Sequence, residues 1–545
     1  MIGMMVDYAM PSVFESTRER DALGLAANAR RPVRFHGKAI RNVPMLRFAL
    51  RALGEAIWSS DLWMAEGEYM AWTLDPVITI HPDRIFLEAF SQDQSVYAAL
   101  ILDPAMFQTD GEVRTGTTNV DFSAWLWGAL GEMRSSRETW FRVEAGGLEV
   151  KTKGAGGRFE QKVELPESWV RGFLQTAGAM AMPGTRLEVK PVDLLSAIRF
   201  LRYTKAKVSP RALRYEFIPG GAAKLILEPW EHEVRLRGVE HNYTEPRVIR
   251  TWGRRRLKLI EGLLPFADRV DIYLKGRALP SFYAVKLPDM TFVLGLSGWS
   301  EQGWSGTSFE LLSHGAPPVE KQLQAVADIL KAEYVATASN LAKKLGKPLP
   351  EVQAACERLC RLGRAMFDVE ARAFRHRELF EVSIDEAKIF PPDDRAIKAR
   401  ELIIKGTVGV TSCERAETRK VKKLKTPEGP IEREIVYREW RVEGRAGDQT
   451  KVEAVVADTG RILFGVCGCA FFRENILNKG PCEHILAILH VSSDLRKDAP
   501  SSIEVPPGMA KSHYRNPATG EYDGEDESEI NEEESDENSE DEDEK

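Results

Sequence analysis

The sequence predicts an α+β, multidomain protein. Three features carry that expectation: a length of 545 residues, helical and strand periodicities that alternate through the first 310 or so, and mainly strand-like texture after about residue 400. A chain this long exceeds what one hydrophobic core organises, so three or four folded units are expected. Hydrophobic residues make up 43% and charged residues 29%, an ordinary globular balance. No uncharged apolar run approaches the ~20 residues of a membrane span. The opening MIGMMVDYAMPSVFESTRER lacks a basic segment followed by an apolar core, so a cytoplasmic protein without membrane contact is expected. Six cysteines are too few for a disulfide scaffold, and a local cluster of them points instead to metal or catalysis.

The elements follow in order. In residues 1–312, MLRFALRALGEAIW sets Leu46, Leu50, Leu53 and Ile57 on one helical stripe, whereas YMAWTL, DPVITI, RIFLEAF and VYAALIL read as strands. One arrangement recurs and predicts internal duplication: a helix near 121–134 and a hairpin through TWFRVEAGGLEVKT, a helix near 192–203 and LRYEFIPGGAAKLILE, then a helix near 247–264 with RVDIYL and TFVLGL. Gly146-Gly147 and Gly220-Gly221 sit where hairpin turns call for positive φ. Residues 318–380 change texture. Leu323, Val326, Ile329 and Leu330 stripe one helix, TASNLAKKLG gives a second ending at Gly346, and Val352, Ala355, Leu359 and Leu362 stripe a third that Pro350 opens and Gly363 stops. The alternating RAMFDVEARAFRHREL then forms a two-stranded wing, so this stretch resembles a winged helix-turn-helix domain. Residues 395–449 read as β-rich around the basic CERAETRKVKKLKTPEG hairpin, 450–492 as a small β-rich unit closed by the helix ILAILHVSSDL, and 496–545 as a disordered linker and acidic tail.

Charge divides the chain. Residues 520–545 carry 16 Asp or Glu against one Lys, or -15, which leaves 74 basic and 66 acidic side chains, or +8, in the preceding 519 residues. A mildly basic body favours phosphate, whereas the tail repels it and, with Tyr522 its one aromatic, has too little apolar surface to fold alone.

The most informative stretch is CGCAFFRENILNKGPCEH, residues 467–484. Cys467 and Cys469 stand two apart, as do Cys482 and His484, with twelve residues between the pairs. Zinc favours four soft or borderline donors in a tetrahedron, and two short pairs joined by a loop supply them. Gly468 between the first two thiols offers backbone latitude, and Gly480-Pro481 introduce Cys482 at a helix start, where thiolates are electrostatically favoured. C-x-C, a spacer, then C-x-H running into an apolar helix resembles the SWIM-type zinc finger. The resemblance implies one structural Zn²⁺ per chain, held by Cys467, Cys469, Cys482 and His484. FLEAFSQDQSVYAALIL followed by RTGTTNVDF also looks like the N-terminal region of bacterial SWIM-finger proteins, some of which accompany MoxR-type AAA ATPases and von Willebrand A proteins. A protein partner, with a MoxR-type ATPase as the candidate, is what that likeness implies. Read physically, GTTNVDF is a tight turn delivering Asp121 as N-cap to a helix striped by Phe122, Trp125, Ala129 and Met133.

Other groups bear on function. Arg250, Arg254, Arg255 and Lys258 would line a phosphate-facing side of the 247–264 helix, though a solvated face on a core helix is commoner. Arg419, Lys420, Lys422, Lys423 and Lys425 offer a denser nucleic-acid contact, sequence-blind because no aromatics are interleaved to stack bases. The third helix of 318–380 carries Glu351, Gln353, Glu357, Arg358 and Arg361, and acids on a recognition face argue against a DNA groove. Cys356 and Cys360, even with His376 on the wing, read as core rather than a second metal site. A phosphate-binding glycine loop, a His-Glu-x-x-His and a serine elbow are all missing, so the chain is not expected to be an enzyme. The leading expectation is a zinc-binding adaptor for protein, nucleic acid or both. The alternatives are a DNA-binding regulator using the winged-helix and basic segments, and an enzyme with a site in the N-terminal region.

Overall fold

A computed structural model describes residues 4–58, 75–145, 161–298, 303–309, 320–380, 394–426, 429–457, 462–492 and 495–496, apart from positions 209, 210, 238, 240, 242 and 308. The architecture is mixed α+β, with several sheets and flanking helices. The second arm of the TWFRVEAGGLEVKT hairpin, the YMAWTL strand and the acidic tail lie outside the described residues.

The centre of the N-terminal region is an eight-stranded sheet in the order Thr185–Val189, Arg269–Leu274, Ser281–Leu287, Met290–Leu296, Val96–Leu102, Ile85–Phe90, Val77–Ile80, Gly116–Asn119. Outward from its middle, where Met290 pairs Leu102 and Leu296 pairs Val96, each half runs from the last strand of a meander to its first, and the edge strand beyond follows the meander in sequence in one half and precedes it in the other. Each half is a three-strand meander, edged by a strand that runs into a helix, Pro191–Tyr203 on one side and Ala124–Ala129 on the other. Each meander is also preceded by a strand and a helical segment: Phe35–Ala39 with Val43–Trp58, and Arg247–Thr251 with Arg254–Ile260. Those preceding strands pair in turn with Glu138–Glu144 and Leu213–Phe217.

This corrects one expectation, since residues 247–264 are not a helix but a strand followed by 3-10 turns. The β-branched Val248, Ile249 and Thr251 favour the pleat, and Gly253 at φ 88° breaks any continuous helix. Burial on both faces explains the unbroken apolar strands. Ala98, Leu100 and Leu102 face one core with Leu46, Leu50 and Leu53 of the Val43–Trp58 helix. Tyr97, Ala99 and Ile101 face a second core with Trp169 and Phe173 of the Glu167–Ala181 helix. The GTTNVDF segment differs too. Its first residues form the edge strand Gly116–Asn119, and Ser123, not Asp121, caps the next helix by accepting from Leu126 N–H at 3.1 Å. Asp121 instead accepts from Ser12 N–H at 2.7 Å. The later start rotates the stripe to Phe122, Leu126, Leu130 and Met133, leaving Trp125 65% exposed.

Residues 320–380 contain three helices, Glu320–Glu333, Ala338–Leu345 and Leu349–Arg361, and the hairpin Ala365–Asp368 with Ala373–His376. Leu323, Val326, Leu330, Leu341, Val352 and Leu359 build their common core, joined by Cys356 and Cys360. Thr337 caps the second helix, which Gly346 ends in the left-handed region at φ 61°. The unit is docked, not free. Arg377 donates to both carboxylate oxygens of Glu88 at 2.8 Å, and Arg375 bridges Asp368 and Asp83. A Cβ on Gly178 of the Glu167–Ala181 helix would lie 3.4 Å from Arg361 on the third helix.

The C-terminal part is a four-stranded antiparallel meander, Val408–Thr426, Gly429–Ala446, Gln449–Ala457 and Ile462–Cys467. Residues 401–404, expected in a strand, instead finish the helix Asp394–Ile404. It packs beside the last long helix, Glu483–Val491.

Candidate metal centre

The Cys/His stretch starts where the meander ends. Cys467 is the last residue of its strand. Two residues on, Cys469 is the N-cap of the short helix Ala470–Asn475, its sulfur accepting from Phe472 N–H at 3.4 Å. The chain then loops back through Ile476 at φ 49° and Gly480 at φ 79°. Cys482 becomes the N-cap of Glu483–Val491, which puts His484 in its first turn. Glycine is thus required at 480, in the left-handed region. Gly468 lies outside the left-handed region, and a Cβ there would come 3.0 Å from Gln449 Oε1, the far end of a flexible side chain.

One ligand atom from each of Cys467, Cys469, Cys482 and His484 lies within 4.8 Å of all the others, and all four residues are buried. A tetrahedral zinc site with about 2.3 Å bonds sets its sulfurs about 3.7 Å apart, so small side-chain adjustments close this set around one ion. The polar bookkeeping agrees. His484 Nδ1 is buried with no hydrogen-bond partner, while Nε2 faces Asp448 Oδ1 at 3.4 Å. A ligating histidine presents one nitrogen to the ion and the other to a carboxylate, and this one is arranged so. These residues fit a metal ion.

The four donors perturb one another's titration. Hydrogen bonds from Cys467 and Cys482 pull the Cys469 thiol far below its ordinary value. The bonds to Cys467 and Cys469, with burial, push Cys482 up. Burial opposes charge on His484, but the neighbouring Cys467 and Cys469 sulfurs override it, and its pKa is pushed up to about 10.

Two positioning groups escaped sequence reasoning. Asp448 sits in the two-residue Gly447-Asp448 turn joining two strands, with Gly447 at φ 60°. Gly-Asp between strand patterns is a hairpin signal that would have located it. Arg395 gives no such signal. From the neighbouring helix it donates to Pro481 C=O at 3.1 Å and covers the Phe471 ring at 4.3 Å, bracing the loop that carries the second ligand pair.

The other sequence candidates do not join this site. Among the described residues no second group of three or more His, Cys, Asp or Glu is placed to hold an ion. Burial pushes the Cys356 thiol up to about 12 and Cys360 higher still, as core cysteines. Arg250 and Arg254 are 4% and 6% exposed, turned inward to Glu228, and only Arg255 and Lys258 of the expected basic face reach solvent. On the third helix of 320–380, Glu351 alone of the five polar candidates is exposed. Arg419, Lys420, Lys422, Lys423 and Lys425 lie on the long hairpin, paired in the backbone with residues 430–436. Their side chains fall outside the described residues.

No family model matches the chain, and no curated protein matches it. Among solved structures, the chain is similar to the crystal structure of Proliferating Cellular Nuclear Antigen from Entamoeba histolytica at 11% identity and a TM-score of 0.31, over 48% of this chain and 98% of that one. Agreement at that score does not define the fold. Among the described residues, no helix is long and apolar enough to cross a membrane.

Proposed function

We propose that residues 450–492 are a SWIM-type zinc finger in which Cys467, Cys469, Cys482 and His484 hold one structural Zn²⁺. The whole chain is then a non-catalytic cytoplasmic adaptor. The observation that carries this reading is the convergence of four buried donors, one per residue, around a His484 Nδ1 that has no protein partner. Three thiolates and one imidazole suit zinc, and in the reducing cytoplasm the thiols stay available to it. Such a set leaves no coordination position for water, so the metal fixes a fold and activates no nucleophile.

The adaptor reading draws further support from the third helix of 320–380, whose one fully exposed polar candidate is the acid Glu351 and whose other four are only part-exposed, a poor surface for a DNA groove. A protein partner is favoured accordingly, with a MoxR-type AAA ATPase as the candidate taken from the SWIM resemblance. Elemental analysis of the purified chain tests the metal. One zinc per chain is expected, and metal-free protein with an intact fold overturns the reading. Affinity capture from the native cell, with and without nuclease, tests the partner. A complex that survives nuclease and high salt supports protein contact, whereas loss under both assigns the chain to nucleic acid.

A further inference from the structure

Four helical segments cover one face of the eight-stranded sheet. Leu46 of Val43–Trp58, Leu126 of Ala124–Ala129, Leu194 of Pro191–Tyr203 and Leu257 of Arg254–Ile260 enter the same core as Leu100 and Leu294 of the sheet, so their outer sides form one surface. Within it Pro191–Tyr203 packs against both Arg254–Ile260 and the 3-10 turn Leu264–Phe266 that follows. Burial of Leu194, Ala197 and Ile198 leaves Val192, Ser196, Arg199 and Tyr203 on the solvent side of that helix. Arg202 in its last turn is exposed too, as are Lys205 and Lys207 just beyond its end. On the neighbouring segment the exposed Arg255 and Lys258 stand three apart, which in a 3-10 helix places both on one side.

The acids around these six cations do not balance them. Asp193 is buried and accepts from Arg237 N–H at 3.0 Å. Glu261 is part-buried and is met by Arg202 at 3.4 Å. On the strand His232–Arg235, which packs on the same helix, Glu233 is held by Lys224 and Arg235. Glu55 of Val43–Trp58 feels the charge of Lys258 but also that of Arg51. Among the described residues, Arg199, Lys205, Lys207 and Arg255 enter no ion pair. Cations fixed on packed elements without countercharges raise the local potential, and a polyanion that exchanges its counterions for them gains the entropy of their release. Tyr203 adds a second, independent observation. It ends its helix 83% exposed, flanked in sequence by Arg202 and Lys205. A ring held in water amid cations suits an unpaired base, whose face is free to stack, whereas a duplex stacks its bases internally.

We infer that the helix-covered face of the central sheet, around Arg199, Tyr203 and Arg255, binds the phosphate backbone of single-stranded nucleic acid, with Tyr203 stacking on a base. This contact goes beyond the adaptor reading. It lies apart from the cysteine cluster, so strand binding and metal content fail independently.

Fluorescence anisotropy of a labelled oligothymidylate titrated with the full-length chain, over a series of salt concentrations, tests the contact. With five cations other than Arg202 answering phosphates, log K should fall against log salt with a slope of about -3.5. Arg199→Gln, Arg255→Gln and Lys258→Gln together should flatten that slope by about 2 and weaken binding at low salt by roughly tenfold or more. Tyr203→Ala should weaken binding of the single strand by roughly tenfold while leaving the salt slope, and the binding of a duplex, unchanged. An unchanged slope in the triple variant overturns the inference, because the strand then lies elsewhere, as on the 419–425 hairpin. So does a Tyr203→Ala protein that binds oligothymidylate like the parent, or a parent that does not bind it at low salt.

Discussion

Two buried polar centres in this molecule are completed in opposite ways. In the sheet Arg247–Thr251, Leu213–Phe217, Lys224–Leu227 and His232–Arg235, Glu228 is 1% exposed, yet it is answered from within. Arg214 Nη1 donates to it at 2.7 Å, Arg250 Nη2 at 2.8 Å, and Arg254 donates to its carbonyl. Arg214 also holds Glu216 and Glu231. In the cluster 467–484 four donors converge, and the buried His484 nitrogen meets no protein partner. The first centre is closed by its own countercharges, whereas the second is a set of converging donors that could hold a metal ion. Burial alone therefore does not mark a site. An unanswered donor set does.

The largest effect that would break this contrast is at Cys482. Replacing it by Ser, or stripping metal with a chelator, removes a share of the folding free energy on the scale of structural zinc sites, about 10–16 kcal/mol in small peptides. Hydrogen exchange in Ile462–Cys467 and Glu483–Val491 should accelerate by roughly a hundredfold or more while the eight-stranded sheet keeps its protection. Equal exchange and equal proteolysis with and without chelator would mean that the cluster is closed by the protein after all.

Next in size is Glu228→Gln. Arg214 and Arg250 lose a charge that both use inside the fold, and removing one partner from a buried ionic set costs about 3–5 kcal/mol. Urea unfolding should show the loss, and chelator should not change it. A drop below about 1 kcal/mol would show that the arginines find water or other acids. Asp448→Ala comes third. Asp448 is 81% exposed, so its hold on His484 is weakened by solvent, and metal affinity should fall about tenfold, the low end for an outer-shell carboxylate. Competition against a chromophoric chelator measures it, and an unchanged affinity would leave His484 oriented by its helix alone.

The same two centres explain how far the sequence could be read. All four donors at the cluster lie within eighteen residues, so spacing and punctuation were enough to find them. Val43–Trp58, Glu483–Val491 and the three helices of 320–380 were legible for a similar reason, because a helix writes its burial into its own neighbours. The Glu228 centre joins Arg214 to residues fourteen and seventeen positions on, and no period records pairing across strands. Residues 247–264 imitate a helix in sequence because Ile249, Arg256, Ile260 and Leu263 recur at helical spacing by accident of two-sided burial. Asp121 has the local signature of a cap, but its partner, Ser12, lies 109 residues away and leaves no local signal.

That long-range polar pocket gives the smallest and most gradual effect. Asp75 is 1% exposed and accepts a 2.7 Å hydrogen bond from Tyr8 OH. Burial raises its pKa to about 8, the nearby charge of Asp121 adds to this, and the Tyr8 bond only partly opposes it. An acid whose folded pKa exceeds its unfolded value near 3.8 binds more protons when folded. Its contribution to stability is therefore fullest below about pH 4 and is lost as pH rises toward 8. Asp75→Asn removes the titration while keeping a carbonyl to accept from Tyr8, so the variant's stability should vary less between pH 4 and 8 and should exceed that of the parent most at the upper end. Urea midpoints across that range decide the matter. Parallel pH profiles for the two proteins would mean that water or a cation already satisfies the Asp75 charge, and the N-terminal pocket would then belong with the cluster 467–484 as a centre completed from outside.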